Sequence, residues 1–336
     1  MTKVLLIVIG LAAFTGSVAA QWPKMQDPTS PAVPRDAQGR VQMTAPTPRM
    51  ADGKPSFSGV WMRANSGPPR GGGAGARQGG GGAPAAAPAA AGGAAAPATG
   101  AAPAAGEGQP GFAPVRGGVQ LEPPTDAFPF DPKGPPVATF FEAGANIPGG
   151  LPYTPWAAEL RKQRLALNAR DNPDAMCFPM GFLQFHQQPQ PRKIYHLPNM
   201  ILIEYEANYG LRKIYLDGRK LPPQGEPQPW WYGYSVGRWE GDTLVVETNN
   251  LRGAEDSPYD GWMDVNGSPY SNQAKITERF RRPAFGQLQI DLTLDDPKSY
   301  TRPWTVRVDQ RYLADEEIIE FICNENQQFR KRIKID

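Results

Sequence analysis

Glu278 is the residue whose surroundings most invite chemistry. In the run Ile276-Thr-Glu-Arg-Phe280 a period of two puts its carboxylate on the face shared by Ile276 and Phe280. A carboxylate that faces a core must be paired or carry a raised pKa, and Arg212, Arg238 or Tyr270 could supply the partner. Glu278 is thus a candidate core ion pair and a candidate general acid or base. Asp264 is the second candidate carboxylate, with Tyr270 or His196 able to assist. It sits in a loop, 256–271, that also carries Asp256, Asp260 and Asn266. That acidic spacing could offer oxygen ligands to calcium, but it lacks the regular D-x-D-x-D-G order, and Asn266-Gly267 is first of all a turn former.

Gly233-Tyr-Ser235-Val-Gly237 spells G-x-S-x-G. A nucleophile elbow needs a strand before the serine, a helix after it and a later histidine. Here residues 238–248 read as turn and strand, and both histidines, His186 and His196, precede Ser235. The glycines fit close packing of a tryptophan-bearing hairpin better. Two histidines ten residues apart, with no H-E-x-x-H and no Cys/His cluster, give no basis for a metal centre, and nothing signals a cofactor.

Aromatic density is the stronger clue. Trp230, Trp231, Tyr232, Tyr234 and Trp239 crowd ten residues, and Tyr259, Trp262 and Tyr270 follow. Tyr and Trp combine large apolar area with a polar tip, which suits a pocket mouth that grips an amphipathic ring or a sugar face; the same rings could equally plug the ends of a barrel. The expected ligand-binding set is Trp230, Trp231, Tyr232, Trp239, Trp262, Tyr270, His196 and Arg212.

The elements that must hold these residues are mostly strands. From residue 193 onward the apolar period is two, giving candidate strands at 193–197, 200–207, 211–216, 234–239, 243–248, 275–281, 288–294, 304–312 and 317–323. An earlier strand spans 60–62, after the turn at Gly53. Nine or ten strands, mostly joined by short turns, predict an all-β fold, an antiparallel meander whose edges closure into a barrel would remove. An open sheet or a sandwich is the alternative. One accessory helix is expected near 155–170, with Thr154 as N-cap and Pro155 in the first turn.

The domain plan has a signal peptide at 1–20, an extended arm at 21–52 and a first strand at 53–63 that docks on the main domain. A disordered Gly/Ala/Pro-rich insert follows at 64–118, then the β domain at 119–326 and a basic tail at 327–336. Lys3, the apolar run 4–14 and the small residues at 18–20 form an export signal, too short to span a bilayer, so the mature chain is expected in the periplasm or outside the cell with no integral membrane segment. An oxidising compartment makes Cys177 and Cys323 a disulfide. With 35 Lys plus Arg against 33 Asp plus Glu, no electrostatic pull toward nucleic acid is expected.

Four blocks carry a resemblance: 53–61 (GKPSFSGVW), 234–248 (YSVGRWEGDTLVVET), 276–282 (ITERFRR) and 296–304 (DPKSYTRPW). In this order they resemble a family of uncharacterised exported proteins of soil bacteria, and Gly59-Val-Trp61 is also similar to the opening strand of lipocalin-like barrels. The resemblance implies export and a β-rich fold, and no established activity. Members often show a histidine where this chain has Tyr270. The reading that follows is an exported barrel that binds a small amphipathic or aromatic ligand. An acid/base enzyme (isomerase, lyase or hydrolase) in the same barrel, or a cell-envelope interaction protein with a filled barrel, are the alternatives. The sequence leaves the oligomeric state open.

Overall fold

The structure, a computed structural model, describes residues 30–64, 131, 133–225 and 228–323. The export signal, the insert from 65 to 118 and the basic tail lie outside the described residues. Nine strands form a closed barrel: β1 (Gly59–Arg63), β2 (Arg192–Leu197), β3 (Met200–Tyr205), β4 (Gly210–Tyr215), β5 (Tyr234–Glu240), β6 (Thr243–Asn249), β7 (Lys275–Ala284), β8 (Gln287–Asp295) and β9 (Trp304–Tyr312). Each strand pairs with the next, and β1 closes the cylinder by lying antiparallel between β2 and β9, with Trp61 opposite both Arg192 and Tyr312. The early strand therefore belongs to the same body as the C-terminal half.

Period-two patterning decides which side chains fill the cylinder. On β8, Leu288, Ile290, Leu292 and Leu294 are all buried while Gln289, Asp291 and Thr293 face outward, and β7 alternates likewise through Ile276, Glu278 and Phe280. The strands form the mainly antiparallel barrel expected, with one parallel pair and one expected strand missing. β4 and β5 run parallel, through the single register Ile214↔Ser235 and Tyr215↔Val236, because the 216–233 connection is long enough to return the chain to its starting end. Residues 317–322 are not a strand. Both neighbours of β9 are already taken, by β8 and β1, so no edge remains for a tenth strand to pair with.

The helix α1 (Pro155–Ala166) starts as expected, with Thr154 Oγ1 accepting from Ala157 N and Pro155 in its first turn. It ends short of residue 170, at Leu167, where Asn168 and Ala169 adopt positive φ. A one-turn helix α2 (Gln184–Gln187) lies inside one end of the barrel. Cys177 and Cys323 are joined by a disulfide across a sequence separation of 146, which ties the approach to α2 to the segment leaving β9.

Candidate functional site

The barrel has two differently furnished ends. At the end formed by the starts of β2, β4, β5, β7 and β9, residues 181–188 enter the cylinder and Phe182, Phe185 and His186 fill its axis, each all but inaccessible to solvent. Gly181 permits this entry, since a Cβ there would lie 1.9 Å from the Trp262 carbonyl oxygen. Arg192 then fastens the segment. Its guanidinium donates to the carbonyls of His186 (2.6 Å), Gln188 (2.9 Å) and Gln190 (2.8 Å) and to Gln310 Oε1 (2.7 Å), while Gln310 Nε2 donates to the His186 carbonyl (2.9 Å).

Under this plug lies the carboxylate singled out by the alternation. Glu278 is fully buried and points into the barrel. Arg212 bonds both of its oxygens, with Nη1 3.0 Å from Oε1 and Nη2 on Oε2, and His186 Nε2 lies 2.8 Å from Oε1. Arg212 Nη2 also donates to Ser235 Oγ and Thr248 Oγ1, each at 3.1 Å. Burial alone would raise the Glu278 pKa, but Arg212 and His186 outweigh it and hold the carboxyl at about 2. His186 is driven the other way: burial lowers it to about 4 despite its Glu278 partner, so the ring is neutral at pH 7. Donation from Nε2 leaves Nδ1 as an acceptor, and that atom is buried without a hydrogen-bond partner.

Ser235 of the G-x-S-x-G run is part of this network. It is buried on a strand, shares a 2.8 Å hydrogen bond with Thr248 Oγ1, and is followed by β5 and β6 rather than a helix. Asp264 is also buried and fully engaged, but elsewhere. It accepts from Ala143 N (2.8 Å), Ser268 N (3.0 Å) and Ser268 Oγ (2.6 Å), which shapes the 256–271 loop. Burial raises its pKa. Arg164 of α1 holds the same loop through the carbonyls of Asp260, Gly261 and Gly267 and stacks 4.2 Å from the Trp262 ring centroid. Asp260 accepts from Arg252.

The aromatic set divides among several places. Trp262 and Tyr270 are buried supports of the loop, and Tyr270 Oη accepts from Phe182 N at the mouth of the plug. Trp239 and His196 cap the opposite end of the barrel, where with Phe57 they form three near-parallel rings with centroids 5.6 to 5.9 Å apart. Burial there lowers the His196 pKa to about 4. Tyr232 stays at the plugged end, half-buried over Tyr205 and Phe185.

Trp230 and Trp231 build the rim of that end, each within its own stack. In one, Arg252 lies 4.4 Å from the Trp231 ring, Trp231 stacks on Phe178 at 5.6 Å and Tyr259 meets Phe178 edge-on at 5.5 Å. In the other, Arg219 lies 3.8 Å from Tyr215, Tyr215 stacks on Tyr234 at 5.3 Å and Trp230 leans on Tyr234 at 5.5 Å. The exposed aromatic members are Phe178, 38% accessible, and Trp230, 41%. Phe178 follows the disulfide-bonded Cys177 and its carbonyl accepts from Asn208 Nδ2, so the ring is fixed on a rigid base.

Among the described residues, cavities of about 440 and 390 Å³ lie outside the cylinder. The first runs under residues 221–224 across β6–β8, the second between the arm at 47–55 and β7–β9. Arg192, Gln310 and Phe178, which organise the plugged end, were not among the residues the sequence singled out for function. A buried Arg on a strand face and an aromatic next to a cysteine were the available signals. Comparison with protein-family models, with curated proteins and with solved structures finds no match to this chain.

Proposed function

We propose that this protein is an exported binding module that takes a small amphipathic or aromatic ligand on the rim of the plugged barrel end. The observation that carries this reading is the exposure of Phe178 and Trp230 within two aromatic stacks, Phe178 between Trp231 and Tyr259 and Trp230 at the end of its own, each stack including an arginine. Rings held in this way lose little freedom on binding and offer apolar faces beside polar groups, which favours ligands of mixed character. The disulfide supports an oxidising compartment, as does the membership in the exported family proposed from the four sequence blocks. Those blocks fall on β1 and its approach, the β5–β6 hairpin, β7 and the turn into β9, which frame the barrel rather than the rim. Among the described residues no helix is long and apolar enough to cross a membrane.

The acid/base enzyme is the weaker reading, because Glu278 and Asp264 are both buried and spend their oxygens on protein donors. Native mass spectrometry of protein purified gently from its own host tests the binding reading. A co-purifying small molecule that is lost from Phe178→Ala and Trp230→Ala supports it. A bare protein that no metabolite library stabilises against heat ends it.

A further inference from the structure

Among the described residues, Arg192 is a buried cation held only by neutral groups. The other buried guanidinium inside this end, Arg212, is matched by Glu278, whereas the acceptors of Arg192 are three backbone carbonyls of the plug and the Gln310 amide. Its Nε has no hydrogen-bond partner. The carbonyls of His186, Gln188 and Gln190 thus occupy the place a carboxylate would fill more favourably, since charge-assisted bidentate pairs are the stronger ones. Burial without a counter-charge lowers the Arg192 pKa to about 10.

The segment that supplies those carbonyls is poorly satisfied. Leu183, which leads into α2, has φ 69° and ψ −48°, a conformation that a side chain with a Cβ adopts only under constraint. Gln184 Oε1, His186 Nδ1, Gln187 Oε1 and Gln190 Oε1 are buried without hydrogen-bond partners. Such orphans and backbone strain oppose the burial of the plug, and its release would hydrate every one of them. The wall it would uncover has an apolar side beside Arg192, where Trp61, Ile194, Ile203, Val306 and Val308 face inward, and a polar side where Arg212 and Glu278 neutralise each other.

We propose that the barrel interior beneath residues 181–190 is a binding site for an anionic amphiphile, with one carboxylate head and an apolar tail, that enters by displacing this segment. The head replaces the three carbonyls on Arg192 and bonds Gln310, and the tail takes the space of Phe182 and Phe185. This site is distinct from the exposed rings of the rim and does not depend on a ligand binding there.

The test uses the wild-type protein with dodecanoate and its methyl ester, both below micelle-forming concentrations, by calorimetry and by hydrogen exchange read by mass spectrometry. Dodecanoate should bind saturably, about tenfold or more tighter than the ester, because the ester cannot form the charged pair. Its binding should speed exchange of amides 181–190 while β7 and β8 keep theirs. Equal affinity for acid and ester, no saturable binding, or added protection of 181–190 would each overturn the proposal. Arg192→Gln should erase the preference for the acid. If that variant does not fold, the comparison of acid and ester on the wild-type chain decides alone.

Discussion

Arg212 grips Glu278 with both terminal nitrogens of its guanidinium, and neither side chain reaches solvent. Removing one member of such a pair leaves the other charge buried alone, whereas replacing both by apolar groups is often tolerated. Glu278→Ala should therefore cost ~3–5 kcal/mol of stability. Glu278→Leu combined with Arg212→Met should recover more than half of that loss. Urea unfolding of the single and double variants measures this, and a single-variant loss below ~1 kcal/mol would show the pair to be energetically idle.

The two histidines predict acid sensitivity of one sign. Both have folded-state values lowered by burial to about 4, below the ordinary 6.5, so the unfolded chain takes up protons first. Their contribution is fully present above pH 6.5 and is lost as the pH falls toward 4. Glu278, also lowered, adds a further loss between its ordinary 4.5 and about 2. A tenfold change in proton affinity between the folded and unfolded chain is worth ~1.4 kcal/mol, so several kcal/mol should disappear between pH 7 and 4. Unfolding free energies measured across that range should slope steadily downward, and a flat profile would contradict neutral burial of both rings.

The disulfide closes a loop with a sequence separation of 146. In the chain-entropy description such a crosslink stabilises by ~5 kcal/mol. Cys177→Ser with Cys323→Ser should lower the denaturation midpoint accordingly and should quench the ordered near-ultraviolet signal of the Phe178–Trp231 stack. A loss of less than ~1 kcal/mol would mean that the unfolded chain is already compact.

Gly59 has a φ of 128°, and a Cβ placed there would lie 2.2 Å from Tyr312 Cε2. Tyr312 in turn packs edge-on against Trp61. Gly59→Ala should strain the β1–β9 seam and cost about 2 kcal/mol or more, as overpacking and left-handed strain add. Limited proteolysis would detect the change as earlier cleavage near residue 64, and unchanged resistance would argue that Tyr312 can move aside.

The sequence made the strands and their inward faces legible because alternation is a local signal. Glu278 could be turned inward, and Arg212 named among its possible partners, from Ile276 and Phe280 alone. The disulfide followed from compartment and parity. The plug escaped because Gly181-Phe-Leu-Gln-Phe-His186 has no period, and what fastens it is Arg192 on the next strand together with the distant Gln310. His186 therefore lacked visible partners. Trp239 was grouped with Trp230 and Trp231 by nearness in sequence, yet β5 carries it to the opposite end of the cylinder. Residues 317–323 hold Ile318, Ile319 and Phe321 and read as a strand, but pairing capacity is a property of the whole sheet and was already used.

The register of Trp61 against Arg192 and Tyr312 also sets an order of events in biogenesis. The β1 strand meets neighbours made more than a hundred residues later, so the cylinder cannot shut before β9 has been made. Its hairpins from β5 to β9 can assemble early, but the last gap waits for the oldest segment to return. Such high contact order makes closure the slow step of folding. Until then β2 and β9 expose unpaired backbone edges, which makes that interval the one in which a chaperone matters most.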